Sequence, residues 1–477
     1  MRKQTKLAVV LSAAALLAVG ASMTSFAARG WVNEGDAWYY YDNSGDYVTD
    51  KWKSYNGNYF YLGDEGYMLT NELIEDGNNF YYVDANGAMV KNTWVAVPAD
   101  DAEDQDVEYR WYYFGANGKA YKDHNKKTIN GKKYGFDEDG KMLFGFVNGK
   151  EVINDEDDAV LNCDRYYGSN DDGAMHTGWL LYQDAIDAEG YDDEYYWFWF
   201  ASDGLKRVDS TKKINGKTYK FDINGAMEYE WVEGTTIGEG TTGWFNSQDD
   251  GHLAKSQWIW TDNEDRAWKN DDDDHWWYAD KHGDLVENTT KKINGKWYAF
   301  MPEGQMAWGF VWLNDPSVKT ADGVISYADP ADLKSDSIKG DFGNGGYLHF
   351  FSNDEEKDGS MKTGYNIKLE LYDDTFTFGF DKNSGCAYNG IEKNKLYDNG
   401  LLLTASENRY EAVKFDGKDY LVSSNGTRLK ASDSRTYKDA DDTYWFVQAS
   451  SEKPDEDGYD LYYGDDAKEA KSMAKKW

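Results

Sequence analysis

Cysteine, proline and histidine are scarce in this chain of 477 residues, which holds 2, 5 and 6 of them. Two cysteines exclude a disulfide-stapled scaffold. Five prolines beside 47 glycines exclude collagen and proline-rich linkers. Catalytic signatures are missing as well: there is no His-Glu-x-x-His, Gly-x-Ser-x-Gly, phosphate-cradling Gly-x-x-x-x-Gly-Lys-Ser/Thr or Cys-x-x-Cys, Met142 standing after Gly135 to Lys141 where the hydroxyl would be needed. Positive charge is in deficit, 51 Lys and Arg against 87 Asp and Glu for a net charge of -36, which sets nucleic acid aside as a partner. The acidic runs lack the alternating ligands and central glycine of an EF-hand loop, so no metal is expected. After Leu7 to Ala21 no apolar run is long enough to span a bilayer.

Aliphatic residues are few too. Leu, Ile, Val and Phe make only 82 of the 477 positions, a level that with this charge ordinarily means disorder. Against that stand 20 Trp and 38 Tyr, types that disordered chains lack. An aromatic core therefore replaces the aliphatic one, and aromatic residues with glycine turns predict an all-β chain of short strands. At the N-terminus Arg2, Lys3 and Lys6, the apolar run and Ser25-Phe26-Ala27 read as a signal peptide over 1–27, cleaved before Ala28.

The chain repeats itself. Trp31, Trp52, Leu73 and Trp94 are spaced by 21, as are Gly45, Gly66 and Gly87, and the triplets Trp38-Tyr39-Tyr40, Tyr59-Phe60-Tyr61 and Phe80-Tyr81-Tyr82 keep the step. Met68 and Met89 follow two residues after their glycines. Each unit reads as one hairpin, and since a lone hairpin is marginal in water, the units must stack as a solenoid. Beyond residue 95 a longer repeat appears. Ile129-Asn130-Gly131-Lys132, Ile214-Asn215-Gly216-Lys217 and Ile293-Asn294-Gly295-Lys296 each lead to a Met and, four residues on, to Phe146-Val147, Trp231-Val232 and Phe310-Val311. These units are 85 and 79 residues apart, and Asn-Gly between apolar runs signals a hairpin. In an array touching only its neighbours, Cys163 and Cys386 cannot meet, so both are expected as free thiols.

Gly30-Trp31 with Trp38-Tyr39-Tyr40, Thr177-Gly178-Trp179 after Gly173-Ala174-Met175, and the Ile-Asn-Gly-Lys-x-Tyr-x-Phe elements resemble the cell-wall-binding, choline-binding and glucan-binding repeats of Gram-positive surface proteins. That resemblance implies stacked hairpins with a ligand held between successive ones. The cage would consist of the Gly-Trp tryptophan, the first aromatic of the triplet and an aromatic of the next repeat. Carried over, the set is Trp31, Trp38, Trp52 and Tyr59, followed by Trp94, Trp111, Trp179, Trp197, Trp231 and Trp244. Ring faces hold a quaternary ammonium, and the same rings stack on sugars.

The expected organisation is a signal peptide (1–27), short regular repeats (28–97), long repeats with acidic insertions (98–313), a linker or loop (314–346) and degenerate terminal repeats with a cap (347–477). The stretch without repeat signal, 314–346, is too short for a hydrolase domain of about 100 residues or more. The expectation is thus a secreted or non-covalently wall-attached, non-catalytic protein without cofactor. Its partner would be a cell-wall polymer, through choline-like groups or polysaccharide. An adhesin or toxin-like receptor binder for host glycans, and a spacer without a small ligand, are the alternatives.

Overall fold

The computed structural model describes residues 29–99, 107–153, 158–233, 242–261, 274–328, 346–352, 358–371, 374–406, 409–432, 434–449 and 459–474. The expected signal peptide, and the acidic runs at 100–106, 155–157 and 271–273, lie outside these residues. The described chain is nearly all β and is built mostly of two-stranded antiparallel hairpins. It divides into two compact units, residues 1–230 with 245–252, and residues 231–244 with 253–477.

Local sequence explains each hairpin. Lys51–Tyr55 pairs with Asn58–Leu62, and Ser210–Ile214 with Lys217–Phe221. The joining Asn56-Gly57 and Asn215-Gly216 have positive φ at both central residues, +51° and +84°, +49° and +88°. That is the turn whose twist matches the strands, and Asn-Gly adopts it at least cost. A second turn follows the second strand. Asp84 accepts from the Asn86 and Ala88 backbone N–H groups at 2.8 and 3.0 Å, and Asp222 accepts from Asn224 and Ala226 at 2.9 and 2.8 Å.

The stack is made two residues beyond that turn's glycine. The backbone N–H groups of Met68, Met89, Met142, Met227 and Met306 donate to the carbonyls of Trp38, Tyr59, Trp111, Trp197 and Trp276, each the first aromatic of the preceding hairpin, at 2.7 to 2.8 Å. One such bond is worth about 1 kcal/mol net. Ring burial is larger, since each ring removes about 150–250 Å² from water, on the order of 4–6 kcal/mol gross. Rings, not backbone bonds, therefore hold hairpin to hairpin.

Strand alternation assigns the rings to faces. Phe60 and Leu62, Tyr112 and Phe114, Tyr134 and Phe136, Tyr219 and Phe221, Tyr298 and Phe300 are all buried. Trp38, Trp111, Trp197 and Trp276, on the other face, are half-buried.

Departures from the hairpin rule are local. In the first unit the four-residue helix Ala159–Asn162 places Val160, Leu161 and Cys163 against Phe198 and Phe200. The buried Lys206 ammonium donates to the Val160 and Leu161 carbonyls at 2.6 and 2.7 Å. Cys163 and Cys386 are both free, and burial pushes each thiol up to about 11. In the second unit residues 314–328 of the expected linker contain the strand Val324–Tyr327, paired with Gly309–Leu313, and bury Val318, Ala321 and Val324. Residues 329–345 are outside the described chain. Further on, a five-stranded sheet runs from Gly364 to Leu402. A helix, Ala467–Met473, closes the chain, its Asp466 accepting from the Lys468 and Glu469 N–H groups.

Candidate functional site

The most complete aromatic cluster lies in the second unit. Trp258 stands on the first strand of its hairpin and Trp276 on the second, their ring centroids 6.1 Å apart at 86°. The next hairpin supplies Tyr298, 4.9 Å from Trp258 at 69°, and the turn after it supplies Met306. These four side chains and Asp358 line an open cavity of about 140 Å³. Behind it Tyr278 and Phe300 pack on Trp258 at 5.1 and 5.9 Å, fixing the indole.

The arrangement recurs twice in the first unit. Trp179 meets Trp197 at 6.1 Å and 85°, and Tyr219 at 4.9 Å and 69°, with Met227 in the same cluster. Trp94 meets Tyr134 at 4.8 Å and 64°, with Trp111 and Met142 beside them. In all three, the tyrosine follows the first tryptophan by 40 positions and the methionine follows the tyrosine by 8. Burial raises the pKa of Tyr134, Tyr219 and Tyr298, which keeps the phenols neutral.

An ion pair stands at the rim of each. Lys132, Lys217 and Lys296, two positions before the cage tyrosine, reach Asp172, Asp250 and Asp358 at 2.8, 2.9 and 3.0 Å. Each aspartate precedes the glycine on which the cage methionine packs: a Cβ at Gly173, Gly251 or Gly359 would lie 2.2 to 2.4 Å from the Met142, Met227 or Met306 sulfur or methyl. Lys362 also reaches Asp358, at 2.9 Å. Burial works against the Asp358 charge, but hydrogen bonds from Ser360, Lys362 and Lys296 outweigh it and hold the carboxyl well below its ordinary 3.8. A depressed carboxylate stabilises the fold above about pH 4, and that contribution is lost as pH falls toward the folded-state value. Asp358→Asn is therefore expected to flatten the acid limb of the second unit's stability between about pH 4 and 2, measured by denaturation midpoints.

Each candidate from the sequence has a definite place. Trp94, Trp111, Trp179 and Trp197 line the two first-unit cages. The other leading four divide between two successive sites. Trp31 packs edge-on against Tyr40 and Phe60 at 5.5 and 5.4 Å, on the hairpin that carries Trp38. Trp52 packs against Tyr61 and Tyr81 at 5.0 and 5.1 Å, on the hairpin that carries Tyr59, and its Nε1 donates to Asp76 at 3.1 Å. Leu73 with Phe80 gives no tryptophan wall. Trp231 and Trp244 face each other across a strand pair at 5.0 Å, and Trp231 meets Trp277 at 5.2 Å. There Thr242 occupies the position of the first aromatic.

Trp258, Trp276, Tyr298 and Met306 were not among the sequence candidates. The signal was present: 18 residues separate Trp258 from Trp276, as they separate Trp179 from Trp197.

A family model described as the choline-binding repeat matches residues 46–88, the second and third hairpins. The chain is 28% identical over 302 residues to glucosyltransferase-S of Streptococcus mutans, covering 60% of this chain and 18% of that protein. It is 26% identical over 227 residues to glucosyltransferase-I of Streptococcus downei, covering 42% and 12%. The chain thus spans less than a fifth of the length of these curated relatives. Among solved structures it is similar to choline binding protein F from Streptococcus pneumoniae, at 18% identity and a TM-score of 0.31, covering 80% of this chain and all of that one. It is likewise similar to the modular autolysin LytC from the same species, at 19% identity and a TM-score of 0.35, covering 59% and 54%. No helix among the described residues is long and apolar enough to cross a membrane.

Proposed function

Starting from a chain that carries the choline-binding repeat over residues 46–88, we propose that it is a secreted, non-catalytic protein that attaches to a cell-surface polymer through choline-like ammonium groups. One observation carries this reading: the thrice-repeated cluster of two tryptophans, a tyrosine and a methionine, open to solvent at Trp258. Indole and phenol faces meeting at steep angles present their negative quadrupoles to one point, where a cation gains about 0.5–2 kcal/mol per face. The rim carboxylates are neutralised by lysines, so the rings rather than a carboxylate would hold the cation. Several weak sites on one chain then add through avidity when the polymer carries repeated groups.

Sugar stacking is the second reading. It is favoured by the similarity to two glucosyltransferases and by Trp260, which is 43% exposed beside Trp276. The deciding experiment is retention of residues 28–477 on a column bearing immobilised tertiary or quaternary amines. Elution by choline, and not by a soluble glucan at equal concentration, is the expected result. Release by glucan alone, or no retention at all, rejects the ammonium reading.

A further inference from the structure

The hairpin that follows each site ends in a short segment whose course is the same every time. Its methionine-column residue donates a backbone hydrogen bond to the first aromatic of the site, and the residue two positions further follows directly in that segment. In the second site that later residue is Lys91, and its ammonium sits 5.1 Å from the centre of the Tyr59 ring. In the third it is Lys122, 5.5 Å from the centre of the Phe80 ring. Tyr59 and Phe80 are the first aromatics of those two sites, the same rings whose carbonyls accept from Met89 and Ala120.

The three complete cages carry no lysine there. The corresponding residues are Phe144 after Met142, Tyr229 after Met227 and Trp308 after Met306, and in the first repeat Thr70 follows Met68. Aromatic residues at this position coincide with complete cages, and lysine coincides with a cation already seated on the first ring.

We infer that Lys91 is a built-in occupant of the site formed by Trp52, Tyr59, Tyr81 and Met89, its tethered ammonium excluding an external choline-like cation. This rests on the ammonium reading given above. The chemistry is self-consistent, because a lysine ammonium and a quaternary ammonium compete for the same ring faces. A tethered group also acts at an effective concentration on the order of millimolar, enough to outcompete a weakly held free ligand. The position two residues after the methionine column would then decide how many sites the chain offers. Lys122 has the same geometry, but its site has Leu73 and Ala120 where the others have tryptophan and methionine, so vacating it creates no cage.

The test counts bound choline by equilibrium dialysis with radiolabelled choline on residues 28–477. The variants are Lys91→Thr, which installs the residue of the first repeat, Lys91→Arg, which keeps a cation, and Lys91→Thr combined with Trp52→Phe. Expected is one additional site in Lys91→Thr, none in Lys91→Arg, and loss of the additional site in the double variant. Lys91 is exposed, so the threonine variant is expected to fold, and its far-ultraviolet circular dichroism reports that directly. Choline binding by the unaltered chain with an unchanged count in Lys91→Thr overturns the occupant role and leaves the ammonium reading standing. Absence of binding in every variant overturns both.

Discussion

Alanine at Trp277 is expected to destabilise the second unit by about 3–5 kcal/mol, whereas alanine at the adjacent Trp276 is expected, on the proposed ammonium reading, to remove one choline site and to cost far less stability. The two residues are consecutive on one strand and point to opposite faces. Trp277 is fully buried among Ala254, Ile259 and Ala279, edge-on to Trp231, with its Nε1 donating to the Thr261 carbonyl at 3.3 Å. Truncating it leaves a ring-sized cavity and removes the indole hydrogen bond to that carbonyl. Trp276 is half-buried, flanked by Trp258 and Trp260, and lines the open cavity. Its loss exposes surface without opening a void. Denaturation midpoints and choline counts on both variants should separate cleanly. Equal stability losses, or an unchanged count in Trp276→Ala, would show that this wall is core and not ligand-facing.

The same alternation marks the limit of what the sequence reveals. The 21-residue step from Trp31 to Trp94, the Asn-Gly turns and the methionine column are properties of single residues at fixed intervals, and they are legible. Which aromatic of a triplet faces a ligand is not legible from the interval, because neighbours in a strand differ only in face. That face is set by the register Trp52 to Tyr61, or Trp258 to Tyr278. Once the register is fixed, the third cage wall must come from the middle of the next triplet, Tyr81 or Tyr298, rather than from its first member. The leading four candidates, Trp31, Trp38, Trp52 and Tyr59, therefore fall into two sites.

Other features depend on backbone conformation alone. Asp50, Asn71, Asn92 and Asn288 take positive φ just before their hairpins, donating to the carbonyls of Gly63, Asp84, Gly115 and Met301. Asparagine and aspartate tolerate that region better than other non-glycine residues, so the column is a usable signal that the tryptophan spacing overshadows. The five-stranded sheet in the second unit follows from long-range pairing, Asp374–Phe380 with Leu401–Leu402, which no local pattern encodes. The terminal helix is more legible, since Asp466 followed by Glu469 is a capping arrangement: Glu469 in turn accepts from the Asp465 N–H at 2.9 Å.

Two glycines with the same backbone strain separate conformation from packing. Gly216 and Gly225 both lie in the left-handed region, at φ +88° and +94°. Around Gly216, at the tip of an Asn-Gly turn, nothing comes within 4 Å of an added Cβ. Gly216→Ala is therefore expected to cost only the backbone penalty, about 1–2 kcal/mol. At Gly225 the same methyl would stand 2.9 Å from the Arg207 carbonyl oxygen and 3.1 Å from Lys206 Cδ and Val208 Cγ1. Val208 is exposed and can turn away, but the other two are held. The Arg207 N–H is committed to the Trp199 carbonyl at 2.9 Å, and the Lys206 ammonium is committed to two carbonyls of the short helix. Overpacking adds about 1–3 kcal/mol to the backbone term, so Gly225→Ala should lose roughly 2–5 kcal/mol. The damage is aimed at one junction, because Arg207 and Gly225 belong to successive hairpins around Trp179. On the proposed ammonium reading, choline binding at the Trp179 cluster should fall with stability in Gly225→Ala and persist in Gly216→Ala. Equal denaturation midpoints for the two variants would mean that the stack yields at this junction, and that hairpin-to-hairpin packing is looser than the buried rings imply.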